Sequence, residues 1–341
     1  MKTNRTFGLC ALLALGLCPG AARAGPYTFS FSVGSTGSDP GQFRFPTGVA
    51  VDPTTDNLVV VDRSNNRFQV LDACGGFLFA VGSFGFEPGQ LFQPSGVAIE
   101  PRTGNFVVAD AGNTRIEAFN PGCQFLFTFG TVGSAPGQFQ LSPQGVAVTP
   151  NGNIVVADQG NNRIQVFDAS GRFLCALGGS GSGPGQLNLP LGVAVAPNGN
   201  IVVADTGNNR VDVFNNSGAF LFSFGDASAG DGQLRGPTSV AVTPDGGFAV
   251  ADRLNNRVAL YDGEGGFLGA VGEPGSGPGQ FLGPFGVAVT PGGDLVVTDQ
   301  INGRVEVFTP VPEPSGLALL GVGLFALAAH AWRRKQSASR P

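Results

Sequence analysis

One unit, clearest as NGNIVVADQGNNRIQVFDASGRF from Asn151 to Phe173, recurs six times along this chain of 341 residues. Aspartates close its first apolar run at Asp62, Asp110, Asp158, Asp205, Asp252 and Asp299. Arginines open its second at Arg67, Arg115, Arg163, Arg210, Arg257 and Arg304. The first two Asp-to-Asp steps are 48 residues and every later one is 47. So regular a period makes each copy one supersecondary module that buries its apolar face only against its neighbours.

Both runs are of strand length and rich in β-branched residues, and a short polar loop joins them, so they predict a hairpin. An asparagine stands two positions before each arginine (Asn65, Asn113, Asn161, Asn208, Asn255, Asn302) and is expected to supply left-handed backbone in that loop. Pro-x-Gly-Val-Ala-Val precedes the hairpin, as at Pro46 to Val51, and a Phe-rich run such as Phe77-Leu78-Phe79 follows it. Each unit is therefore four strands. The small Gly-Val-Ala-Val strand suits an axis where sheets converge, and the phenylalanines suit the outer gaps where sheets diverge. The expected fold is all-β, a six-bladed β-propeller. Residues 28–33 read as an outer strand with no blade before it, whereas the sixth unit lacks its own. Closure of the last blade by the N-terminal strand resolves both defects and leaves no open edge.

The sequence Pro-x-Gly-Val-Ala-Val, then Gly-Asn-Ile-Val-Val-Ala-Asp, then Asn-x-Arg-Ile-x-Val-Phe resembles the NHL repeat family, over residues 25–309. The resemblance implies the propeller fold, and its members include protein binders, RNA binders and enzymes. WD and kelch patterns fit less well, since the single tryptophan, Trp332, lies outside the repeats.

The two ends read as addresses. Lys2 and Arg5 precede an apolar run, and Ala22-Arg23-Ala24 offers small residues to a signal peptidase, so residues 1–24 form a signal peptide and the protein is exported. A lipoprotein signal at Cys18 is disfavoured by the bulk of Leu17. At the other end, Pro312, Glu313, Pro314 and Ser315 lead into an apolar run at residues 316–332, closed by Arg333-Arg334-Lys335. That run is expected to be a transmembrane helix with its basic end inside the cell. This order resembles the PEP-CTERM sorting signal of bacterial surface proteins, which implies an exosortase-type processing enzyme as partner for the tail at 310–341. The expected itinerary is transient anchoring in the inner membrane, then the cell surface or extracellular matrix.

Charge narrows the function. Between the tails lie 12 of the 19 basic residues, all arginine, and 23 of the 24 acidic ones, leaving the propeller 11 negative. That sign argues against nucleic acid as a partner. The only histidine, His330, lies in the apolar tail, which removes histidine-ligated metal chemistry and Ser-His or Cys-His dyads from the propeller. The glycine-rich loops, such as residues 178–186 and 229–233, have no Walker-type lysine and are expected to be flexible turns between blades. Cys74, Cys123 and Cys175 are expected to be packing residues, or at most to form one bridge between Cys74 and Cys123. The six Asp and Arg pairs are expected to brace their own hairpins.

Sequence variation between units gathers on one face. The residue preceding the inner-strand repeat runs Thr47, Ser95, Gln144, Leu191, Thr238, Phe285, with no carboxylate. The residue after each conserved aspartate runs Arg63, Ala111, Gln159, Thr206, Arg253, Gln300. Recognition usually sits where a rigid scaffold varies, so Arg63, Gln144, Gln159, Arg253 and Gln300 are the expected ligand-binding residues. The leading expectation is a non-enzymatic scaffold that binds protein or extracellular polysaccharide, with no cofactor. Alternatives are a calcium-dependent hydrolase of the lactonase kind and a structural matrix component.

Overall fold

The computed structural model describes residues 27–226 and 230–311. Each repeat folds into a four-stranded antiparallel sheet whose strands run in sequence order from the axis outward. In the first blade these are Pro46–Val51, Leu58–Asp62, Arg67–Leu71 and Phe77–Val81. Six such sheets form the propeller. The signal peptide at 1–24, the motif Pro312 to Ser315 and the apolar run at 316–332 lie outside the described residues. Among the described residues no helix is long and apolar enough to cross a membrane.

Blade 6 closes as the unpaired strand requires. Pro284–Val289, Leu295–Asp299 and Arg304–Pro310 are followed, at the outer edge, by Tyr27–Val33 from the start of the chain. The pairing is antiparallel and runs from Tyr27 opposite Pro310 to Val33 opposite Val305. Phe29 adds an edge-on contact to Phe308 with ring centroids 5.9 Å apart.

No blade has a core of its own. Six apolar clusters each join two neighbouring blades, for example Val59, Val61 and Phe68 of blade 1 with Val97, Phe106 and Phe119 of blade 2. The second strands, such as Leu58–Asp62, are buried along their whole length because a sheet covers each of their faces. As expected, outer-strand phenylalanines such as Phe79, Phe125 and Phe224 pack into the gaps between blades. Outer strands keep one side in water, with Leu78 46% exposed. The gap-filling phenylalanines are joined by a residue of each connecting loop (Phe43, Leu91, Phe139, Leu187, Leu234, Phe281), each at most 1% exposed. The last residue of each third strand, such as Phe119 or Phe167, joins them. An outer strand has a neighbour on one side only, so its phenylalanines cannot all be covered.

The inner strands approach closely, at a glycine in five blades and at Ser239 in blade 5. A Cβ on Gly145 would lie 2.5 Å from the carbonyl oxygen of Leu191 in the next blade, where Gly145 N–H donates a 2.8 Å hydrogen bond. The same bond links Gly48 N–H to Ser95 O at 2.9 Å.

The hairpin loop corrects one reading. Left-handed backbone falls on the residue directly before each arginine, Asn66, Thr114, Asn162, Asn209, Asn256 and Gly303, with φ between 50° and 66°. The asparagine one position earlier ends a short 3-10 turn instead, and its role is played by its side chain.

Candidate functional site

Each hairpin aspartate is fully buried and organises a small hydrogen-bonded unit. Asp62 Oδ1 accepts the backbone N–H of Arg44 at 2.7 Å. Asp62 Oδ2 accepts Asn65 Nδ2 at 2.8 Å and Arg67 Nε at 2.8 Å. Asn65 Nδ2 also donates to Gly37 O at 2.9 Å, and Arg67 Nη2 donates to Asp39 O and Gln42 O at 3.1 and 3.2 Å. The Arg–Asp pair recurs in all six blades at 2.7–3.2 Å, with the arginine side chains only 11–21% exposed. The pairs thus brace their hairpins, as expected, and also hold the loop arriving from the previous blade. Those loops are accordingly not slack: Arg210 Nη2 holds Gly183 O and Gln186 O, and Gln186 Oε1 accepts Gly183 N–H at 2.9 Å.

Two residues past each of these arginines is a buried position that sequence reading missed. Gln69 and Gln165 there donate Nε2 to the conserved aspartate and to a loop carbonyl, at 3.1 and 2.7 Å for Gln69. Blades 2, 4 and 6 place Glu117, Asp212 and Glu306 at this position, each fully buried. Burial pushes all three up to about 7, against the pull of the neighbouring arginine. Alternation of Gln with Glu and Asp at one repeat position was the signal available. These groups face the loops and not the channel, so they are structural acids.

The varied residues surround the mouth of an axial channel of about 620 Å³, lined by the Gly-Val-Ala-Val strands and, at its far end, by prolines such as Pro53 and Pro150. Ser95, Gln144, Leu191, Thr238 and Phe285 reach its wall. Arg253 extends from blade 5 onto blade 6, donating Nη2 to Gln300 Oε1 at 3.2 Å and lying 5.7 Å from the ring centre of Phe285. Arg63 opens the equivalent turn of blade 1, half-buried, and burial disfavours its charged form. Gln144 and Gln159 belong to blade 3, across the channel, and Gln144 Nε2 donates to Ser142 Oγ at 2.6 Å. The five expected residues therefore share a face, but only Arg253 and Gln300 touch.

The mouth carries no carboxylate, the six conserved aspartates are turned to amides and arginines, and no group of three or more His, Cys, Asp or Glu that could hold a metal occurs among the described residues. Cys74, Cys123 and Cys175 are free thiols.

A family model described as NHL repeat matches residues 43–71, 141–167 and 187–214, each covering the hairpin just described. Blades 1, 3 and 4 thus carry NHL repeats. A second model, described as PEP-CTERM protein-sorting motif, matches residues 310–335. That motif implies export and processing by exosortase at the membrane. No curated protein matches this NHL-repeat chain. Among solved structures, a streptogramin B lyase aligns at 13% identity with a TM-score of 0.58, over 83% of this chain and 97% of that one. Virginiamycin B lyase from Staphylococcus aureus aligns at 11% and 0.57, over 84% and 100%. A proposed gluconolactonase aligns at 16% and 0.58, over 84% and 96%. At these identities the likeness is one of fold alone.

Proposed function

We propose that this protein is a non-enzymatic binding scaffold that is exported, held briefly at the inner membrane by a helix at 316–332, and released to the cell surface or matrix. The observation that carries the reading is the placement of the two chain ends. Tyr27 and Pro310 pair with each other at the end of blade 6 remote from the channel mouth. The described residues at the two ends of the propeller therefore lie on the face opposite Arg63, Arg253 and Gln300, which supports a reading in which the varied face is turned away from the membrane. A ligand outside the cell, protein or glycan, meets that face first.

Two measurements test it. Substituting Arg63 and Arg253 together is expected to weaken ligand binding while leaving the melting temperature nearly unchanged. If stability falls and binding does not, the varied face is not the binding face. Mass spectrometry of the mature C-terminus addresses sorting: the wild type should lack its tail, and a variant with Pro312, Glu313 and Pro314 changed to alanine should keep it. An intact terminus in both would make the tail a plain anchor. A calcium-dependent thermal shift together with turnover of a lactone would favour a hydrolase instead.

A further inference from the structure

The twelve arginines of the propeller are not distributed evenly in their partners. Six are held by the hairpin aspartates, Arg102 pairs with Glu100 at 3.0 Å, and Arg172 lies beside Asp168 in a turn on the opposite face. The four that remain, Arg44, Arg63, Arg235 and Arg253, have no carboxylate partner among the described residues, and all four stand around the channel mouth. They form two pairs. Arg44 O accepts the N–H of Ser64, which places Arg44 beside Arg63 on blade 1; Arg235 O accepts the N–H of Leu254, which places Arg235 beside Arg253 on blade 5. Blade 6 lies between those two blades: Thr298 Oγ1 donates to Thr47 O of blade 1 at 2.6 Å, and Thr238 Oγ1 of blade 5 donates to Phe285 O at 2.7 Å.

The surface between the pairs is apolar. Leu254 and Ile301 are each 57% exposed and Phe45 is 56% exposed, and Phe285 lies under Arg253. Phe45 holds a left-handed φ of 52°, as Gln93, Leu141 and Leu189 do in blades 2, 3 and 4, whereas blades 5 and 6 have Gly236 and Gly283 at the matching position. The nearest acids of these loops lie further out: Asp39 and Asp231 meet the third-strand residues Arg67 and Arg257 through their carbonyls, and Glu273 accepts from Gln280.

We propose that this sector of blades 5, 6 and 1 binds an acidic polysaccharide, its carboxylate groups held by the two arginine pairs and its sugar faces laid on Phe45, Leu254, Ile301 and Phe285. On a protein whose propeller is 11 negative, four arginines without a carboxylate partner on one face of three adjoining blades select an anion, and arginine engages a carboxylate with two parallel hydrogen bonds. Gln300, fixed by Arg253, offers an amide for hydroxyl groups. An acidic peptide fits less well, because the inner-strand carbonyls Thr47 O and Phe285 O of this sector already accept the hydroxyls of Thr298 and Thr238. The inference rests on the reading of this face as the binding face and names its ligand class.

The test uses the full chain in mild detergent with alginate as probe, dextran as neutral control and poly-glutamate as the peptide arm. Binding of alginate is expected, weakening with added salt, and falling at least tenfold in Arg63→Gln/Arg253→Gln and further when Arg44→Gln and Arg235→Gln are added. Arg172→Gln, on the opposite face, should bind as the wild type, and circular dichroism melting confirms that each variant folds. Failure to bind alginate, or a loss equal in Arg172→Gln, overturns the proposal. Poly-glutamate binding without alginate binding overturns the glycan class, and dextran binding lost in the arginine variants overturns the charge argument while leaving the binding face intact.

Discussion

Arg115 Nη2 lies 2.8 Å from Glu117 Oε1, yet Glu117 Oε2, equally buried, has no hydrogen-bond partner. In blade 3 the amide of Gln165 occupies that position and donates to Asp158 and to Gln138 O. A protonated Glu117 reproduces that donor, and an ionised one sets a second negative charge beside Asp110. The same holds for Asp212 beside Asp205 and Glu306 beside Asp299. With folded values near 7 against ordinary values of 3.8 and 4.5, the folded state binds more protons than the unfolded chain between about pH 4 and pH 7. The stability from these groups is full below that window and lost as pH rises through it, by up to about 1.4 kcal/mol per pH unit per group. Urea denaturation at pH 5 and pH 8 should show lower stability at pH 8. The triple variant Glu117→Gln/Asp212→Asn/Glu306→Gln should flatten the difference.

Removing a conserved aspartate should be severe. Asp158→Ala leaves Arg163 buried without its carboxylate and deprives Gln140 N–H and Asn161 of an acceptor. The expected cost is about 3–5 kcal/mol, read as a shift of the urea midpoint.

Left-handed positions should rank substitutions in an order that burial does not give. Asn162 has φ 52° and its Oδ1 accepts Leu189 N–H from the next blade at 2.7 Å. Asn162 Nδ2 also donates to Ser180 Oγ at 3.3 Å; both variants lose these two bonds and Asn162→Ala adds backbone strain, so alanine should cost about 1 kcal/mol more than glycine. Thermal melts of the two variants decide the order.

A chain beginning at Gln42 should lose on the order of 3 kcal/mol and tend to aggregate. It leaves Arg304–Pro310 as an exposed edge and uncovers the cluster that Phe31 and Val33 help to close. Light scattering and melting temperature compared with the full chain provide the check; identical values would mean that the strand contributes nothing.

The fold was legible because a fixed period, small inner strands and an orphan outer strand each impose geometry on their own. The hairpin was harder to read. With Asn65 and Asn66 adjacent, both suited to a turn, the left-handed residue was assigned to the first of them; Gly303 in blade 6 and Thr114 in blade 2 mark the second as the conformational position. The first asparagine recurs in every blade because its amide joins an aspartate to a loop. The buried acids and the arginine pairs were illegible for a different reason. Partners such as Arg44 and Ser64 are distant in sequence, and which arginine lacks a carboxylate is known only when every carboxylate has been placed.

The pairing of Tyr27 with Pro310 also sets an order of events. A chain delivered N-terminus first releases the strand that completes blade 6 before any blade exists, and that strand must wait until residue 310 has emerged. The ring is then fastened at the moment its last propeller residues arrive, beside the segment where the tail is to be cut. Cleavage beyond residue 311 leaves every blade intact, whereas a nick between residues 34 and 45 breaks the covalent link between blade 6 and blade 1. The circle is therefore robust to processing at one end of the chain and vulnerable to it near the other.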